Sequence, residues 1–298
     1  MFTQQVKKFL VYFLAIFNLK IIKLRSKKLI DTTKNNFNPL SIQYIVGIKT
    51  NIAIIDLDKG RTDRWFETTS KSLDPAIFAI RNALKKDLSG NLLYSDIFST
   101  LKLNHSLSSY KSAAEYLDID IVKNKELQNY PWWAKVYPWE NRTFDDKLKY
   151  YPQEVKENRL RNGMKILSNN PDEIMKDDFE NSLSSHARQY AELAEKIKKD
   201  GFKYGIDYTH VSAEIFVNRD AYCWKVGLEG NHRIAAAAAL GLERIPVNIT
   251  KIIKLDELKY WPNVKLGYFN EKQAIKIFYS IFDAKPSKIY NKWISKFG

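Results

Sequence analysis

With 298 residues, 45% of them apolar and 13% aromatic, the chain is long enough to bury one large core or two modest ones. Its single cysteine, Cys223, excludes a disulfide framework and a cysteine zinc site and fits a reducing compartment, where it reads as a small core residue. The net charge of +14 invites nucleic-acid or anionic-membrane partners, yet lysine is spread along the whole chain, and only residues 1–30 are purely basic, with seven Lys/Arg and no acid.

Residues 6–24 carry a helical stripe of Val6, Leu10, Phe13, Phe17, Ile21 and Leu24, edged by Lys7, Lys8, Lys20, Lys23 and Arg25. The unbroken apolar run 9–17 is too short for a membrane span, which needs about 20 residues. No small-residue cleavage site follows it, so a secretory signal is not expected. Two readings stay open: a basic helix lying on an anionic membrane surface, or a helix docked on the protein's own core. The expected location is cytoplasmic, and on the first reading peripheral on the inner face of the membrane.

Residues 31–40 read as a linker around Pro39. Strands are predicted at 42–48 and 51–57, the second ending in an Asp-Lys-Gly turn at 58–60. Arg61, Asp63 and Arg64, beside Trp65 and Phe66, read as a solvated hairpin end. Pro75 opens a helix over 76–88 that Gly90 closes, and helices over 92–103 and 109–117 follow. With no catalytic signal in it, 31–120 reads as an accessory α/β segment.

From 121 to 165 the chain is dense in Trp, Tyr and Pro and reads as ordered but largely irregular. Trp132, Trp133, Tyr137, Trp139, Tyr150 and Tyr151 read as core or loop anchors, with stacking on a base or sugar as the alternative. A helix over 179–200 puts Phe179, Leu183, Tyr190, Ala194 and Ile197 on one face, with His186 and Tyr190 together four residues apart. Strands at 211–217 and 222–228, joined by a turn at 218–220, lead to a helix that runs through Ala235–Ala239 and ends at Gly241. A strand at 245–249 follows. The tail, 253–298, holds a helix at 271–282 and another after Pro286, and reads as a lid or packing unit.

The helix after Gly230 stands out by its charge. His232 and Arg233 occupy its first turn, where the macrodipole is already positive and cations cost roughly 0.3–1 kcal/mol each. A bound anion would resolve the conflict, with Gly230 letting it approach the backbone. The alternative is that both side chains turn to water or pair with Glu229 or Glu243.

The string Glu229-Gly230-Asn231-His232-Arg233, then Ile234 and the alanines, Leu240-Gly241 and Ile245-Pro246-Val247, resembles the signature of the ParB/sulfiredoxin superfamily. Leu193-Ala194, Ile197 and Gly201 resemble its preceding helix. The resemblance is specific over 226–249, looser back to 121, and absent elsewhere. It implies an α+β fold: a small mixed sheet with helices at 121–252, preceded by the accessory segment and followed by the short helical tail. It also implies a nucleotide-phosphate site on Gly230, Asn231, His232 and Arg233, with ATP, ADP or CTP and Mg²⁺ as cofactors. Asn231 stands where sulfiredoxin has its cysteine, so that thiol chemistry is not expected.

Similarity to the superfamily's small-molecule kinases implies phosphoryl transfer from a nucleotide to a small alcohol. Glu140 would then be the catalytic base, Glu229 would position Mg²⁺ or orient His232, and Arg142 and His186 would assist. Two other readings stay open. One is a nucleotide-gated DNA-binding regulator, against which stands a tail too short for a helix-turn-helix domain. The other is a non-catalytic membrane-peripheral accessory protein in envelope glycan assembly. No protein metal site is expected, because His105, His186, His210 and His232 lack zinc-helix spacing.

Overall fold

A computed structural model of the chain describes residues 30–31, 40, 51–120, 125–161, 170, 173–174, 179–204 and 210–298. The basic helix expected at 6–24, most of the linker and the strand expected at 42–48 lie outside them.

The fold is α+β. Its strands are β1 (Ile30–Asp31), β2 (Asn51–Asp56), β3 (Gly60–Arg61), β4 (Ser212–Asn218), β5 (Ala221–Val226) and β6 (Arg244–Lys254). They form one mixed sheet in the order β1-β2-β6-β4-β5-β3. β2 runs antiparallel to β6, which is parallel to β4; β4 and β5 make an antiparallel hairpin through Arg219, whose φ is 54°. This corrects the expected division at residue 120. The segment read as accessory supplies β2 and β3 to the same sheet as the motif, so 51–61 and 212–254 share one core.

The longer helices are α1 (Pro75–Lys85), α2 (Gly90–Leu107), α3 (Phe144–Arg161), α4 (Phe179–Asp200), α5 (Asn231–Ala239), α6 (Glu271–Phe282) and α7 (Asn291–Phe297). None of the described helices is long and apolar enough to cross a membrane. Alternation along the strands sends side chains to both faces of the sheet, and both faces are covered. On one face Ile55, Ile215, Trp224, Val226, Ile245 and Val247 pack with Ile234 and Ala237 of α5. The other side of α5, Ala235, Ala236 and Ala238, meets Ile77 and Ile80 of α1, Ile97 of α2 and Ala187 and Ala191 of α4. A row of alanines is what lets α5 sit between the sheet and helices α1 and α4, because longer side chains would hold the backbones apart.

The opposite face, Phe216, Cys223 and Ile253, is covered by the aromatic segment (Tyr137, Trp139, Phe144) and by Phe278 and Ile281 of α6. Asn263, fully buried, ties this layer together. Its Nδ2 donates to the carbonyls of Tyr137, Glu140 and Arg142 at 2.9–3.0 Å. The tail is therefore part of the core, and most of the Trp and Tyr residues of 130–151 are anchors. Trp133, Tyr137 and Trp139 are buried, and the more exposed Trp132 stacks on Tyr110. Cys223 is buried in β5 as expected, and burial pushes its thiol up to about 12. Part of 121–165 departs from the expected irregular chain. Residues 144–161 form α3 with Pro152 inside it, and the fully buried Phe144 anchors its first turn.

Candidate functional site

The hairpin β4–β5 and the turn after it hold the start of α5 in place. Ser212 clamps that turn from both sides. Its N–H donates to the Glu229 carbonyl at 3.0 Å, its carbonyl accepts from Gly227 N–H at 2.8 Å, and its Oγ accepts from Glu229 N–H at 2.9 Å. Gly230 then turns the chain with φ 101°, a left-handed conformation in which a Cβ would lie 2.7 Å from Val211 Cγ2 and 2.8 Å from Val211 Cα. The glycine is thus required by the turn and by the strand behind it. That corrects the expectation that it opens room for a ligand.

α5 starts at Asn231 without a side-chain cap, and its first intrahelical bond is Ile234 N–H to the Gly230 carbonyl at 2.9 Å. The N–H groups of Asn231 and His232 precede that bond and have no carbonyl one turn back in the helix. A small cavity lies beside the start of the helix, at Asn231. Its polar walls are Asn231, Tyr190 of α4, Thr62, Asp63 and Arg64 from the turn after β3, and Asp74 at the head of α1; Val226, Ile234, Ala76 and Ala235 complete it. Its volume is about 20 Å³, room for about one water. That is far below the roughly 300–1,000 Å³ of pockets that enclose a whole small-molecule ligand.

The charge facing the cavity comes from a residue that the sequence placed on a solvated hairpin. Arg64 Nη1 stands 3.6 Å from Asp74 Oδ2. Burial alone would lower the basicity of Arg64, but Tyr290 and Asp74 hold the guanidinium firmly charged. Asp74 also caps α1, its Oδ1 accepting from Ala76 N–H at 2.9 Å. Asp63 is held ionised: burial would raise it, but Lys135, at 3.1 Å, and Lys225 outweigh burial. The turn that carries these groups is strained. Trp65, bulky and 1% exposed, takes φ 69°, a conformation that costs non-glycine residues about 1–2 kcal/mol. Burial of its ring and a 3.3 Å bond from its Nε1 to Tyr137 Oη hold it there. Arg61 is also engaged, donating to the Ile281 and Phe282 carbonyls at the C-terminus of α6.

Of the residues expected at the site, Asn231, His232 and His186 lie together. His186 Nδ1 and His232 Nε2 are 2.7 Å apart, and the Tyr190 ring lies 4.6 Å from that of His232. Burial, His186 and Arg64 push His232 down to about 4, and burial with Arg64 lowers His186. At neutral pH the two imidazoles therefore share one N–H···N bond as a neutral pair. This revises the charge conflict read from the sequence. His232 is not a cation at the helix start, and the positive charge at the cavity is Arg64.

The others are elsewhere. Arg233 does not line the cavity; burial lowers its basicity against the pull of Glu229. The Glu229 side chain is exposed and does not reach the cavity, so a role in orienting His232 has no contact behind it. Arg142 pairs with Glu154 at 2.8 Å on the surface. Glu140 is on the far side of the sheet from α5, where burial raises its pKa and Glu214 adds to the rise. Its neighbour Lys225, 5% exposed at the side chain, pairs with Glu214 Oε2 at 3.6 Å and donates to the Val226 carbonyl at 3.0 Å. No group of three or more His, Cys, Asp and Glu arranged to hold a metal occurs among the described residues.

Thr62, Asp63, Arg64 and Asp74 were not legible as site residues, because they lie more than 150 positions from α5 and only the β2–β6 and β3–β5 pairings bring them to it. Comparison of the chain with protein-family models, with curated proteins and with solved structures gives no match.

Proposed function

We propose that this protein binds phosphate groups of a nucleotide at the start of α5, as a ParB/sulfiredoxin-like protein. The observation that carries the reading is the convergence on one cavity of the uncapped N-terminus of α5 and the charged Arg64. Helix N–H donors, the dipole and a guanidinium are the set that recognises a phosphate. Strand, turn, strand, helix, strand (β4, β5, α5, β6) supports the superfamily reading of the fold. On this reading the terminal phosphate sits at the mouth of the cavity, with base and sugar outside it.

The reaction proposed is phosphoryl transfer to a small alcohol, in which positioning and charge neutralisation supply most of the catalysis. Asp63, rather than Glu140, is the carboxylate placed to orient the alcohol by accepting its hydrogen bond, because it lines the cavity; held far below the usual carboxylate range, it is too weak a base to take the proton early. Each carboxylate of the cavity already faces a cation, Lys135 or Arg64. Mg²⁺ would accordingly arrive with the nucleotide phosphates, as it commonly does.

The test is calorimetry of ATP, ADP and CTP with Mg²⁺ on the wild type, Arg64→Ala and Arg142→Ala. Binding should weaken by roughly 2–3 kcal/mol in Arg64→Ala, the size of a charge-assisted contact, and stay unchanged in Arg142→Ala. Equal affinity in all three proteins would remove the cavity from the account.

A further inference from the structure

From residue 284 to 298 the chain has four lysines and no acid. A 3₁₀ turn, Lys288–Tyr290, runs directly into α7, because Tyr290 and Asn291 both keep right-handed helical angles. Lys288, Lys292 and Lys296 therefore recur every four residues along one side of a continuous helical rod, with Asn291 and Ser295 beside them, and all five are exposed. The other side of the rod is fixed in the core. Trp293 is fully buried and donates from Nε1 to the Leu73 carbonyl at 2.7 Å, Tyr290 is 2% exposed, and Phe297 packs on Phe78. The lysine stripe is thus held in place by tertiary packing.

Like charges four residues apart destabilise a helix. On other elements exposed lysines find acids, as Lys86 finds Asp96 and Lys276 finds Asp118. Lys288, Lys292 and Lys296 pair with no carboxylate among the described residues. The carboxylates near the start of the stripe are engaged: Asp283 pairs with Lys285 at 2.9 Å, and Glu115, whose carbonyl accepts from Ser287 Oγ, takes the Lys111 N–H on its carboxylate. We propose that this face of the tail docks on an anionic lipid bilayer. A plane of phosphate headgroups complements the stripe by charge alone. Two observations favour lipid over nucleic acid. Tyr290, Trp293 and Phe297 pack inward, so this face offers no ring to stack on a base. Its cations are lysines, not the planar arginines suited to nucleic-acid recognition. Residues 1–30, with seven Lys/Arg, no acid and an apolar stripe, offer the same partner a second contact, and stable attachment to a membrane commonly takes two.

The experiment sediments the full chain with vesicles of phosphatidylcholine alone and of an equimolar mixture with phosphatidylglycerol, and sets a short DNA duplex beside them. The wild type is compared with Lys288→Gln/Lys292→Gln/Lys296→Gln, which breaks no ion pair of the described residues, and with Lys196→Gln/Lys198→Gln/Lys199→Gln on α4, which removes the same charge from another exposed face. The wild type should bind the mixed vesicles and not phosphatidylcholine alone. The α7 variant should bind about 30- to 100-fold more weakly, at about 5-fold per lysine, and the α4 variant as the wild type does. Mixed vesicles bound equally by the wild type and the α7 variant overturn the docking face. Equal losses in the two variants overturn it as well, since bulk charge then suffices. Tighter binding to the duplex than to the vesicles, lost in the α7 variant, overturns the lipid partner, and binding to neither overturns the proposal outright.

Discussion

Two glycines bracket α5, and replacing each with alanine separates two physical costs. Gly230 and Gly241 both have positive φ, 101° and 78°. A Cβ at Gly241 meets nothing within 4 Å, while one at Gly230 lies 2.8 Å from the Cα of Val211, a backbone atom that no rotamer change can move. Gly241→Ala therefore carries only the left-handed strain, about 1–2 kcal/mol. Gly230→Ala carries that strain and the displacement of the turn from β4, a further ~1–3 kcal/mol by analogy with overpacked cores. The gain from a stiffer unfolded chain is the same in both and cancels. Urea unfolding at neutral pH should show Gly230→Ala the less stable by about 1–3 kcal/mol. The same variant should lose phosphate affinity, because the N–H groups of Asn231 and His232 ride on the displaced turn. Equal midpoints for the two variants would mean that Val211 does not buttress the site.

The histidine pair gives a pH dependence. His232 is held near 4 when folded and takes a proton near 6.5 when unfolded, so the unfolded state binds more protons between those values and stability falls as pH drops from about 6.5 to 4. With partial solvent exposure the loss is about 1–2 kcal/mol, and a His186→Gln/His232→Gln protein should show a flatter urea midpoint across that window. Asp74→Ala should cost about 1–2 kcal/mol by chemical unfolding, since the first turn of α1 loses its cap. Lys225→Met should cost about 2–4 kcal/mol by leaving Glu214 without its buried partner, and Glu214→Gln in that background should recover part of it, read as a double-mutant cycle.

The sequence displayed α5 well because its signals are local. Five alanines, a glycine on either side and a flanking β-rich run need no tertiary knowledge to interpret. The loop that faces α5 is the opposite case. β3 is two residues long, and what makes Thr62–Arg64 a wall of the cavity is pairing with a strand more than 160 positions away. Lys225 was hidden for a related reason. In an alternating strand it reads as the solvent face, but an aromatic layer covers that face here. Gly90, expected to end a helix, instead begins α2, and Asp87, with φ 56°, takes the left-handed position after α1. The Trp, Tyr and Pro density of 121–165 hid the helix at 144–161, which contains Pro152 and is anchored by Phe144, buried against Tyr268 and Phe269. His186 and Tyr190 could be placed on one face from spacing alone; that the face meets His232 could not.

The most direct measurement is of the backbone donors themselves. In an amide-resolved NMR titration with inorganic phosphate, the N–H resonances of Asn231 and His232 should move saturably while those in the middle of α6 stay still. Saturable movement lost in Arg64→Ala is the expected result. Amides of α5 that do not respond, or that drift no more than those of α6, would contradict a phosphate site at this helix start.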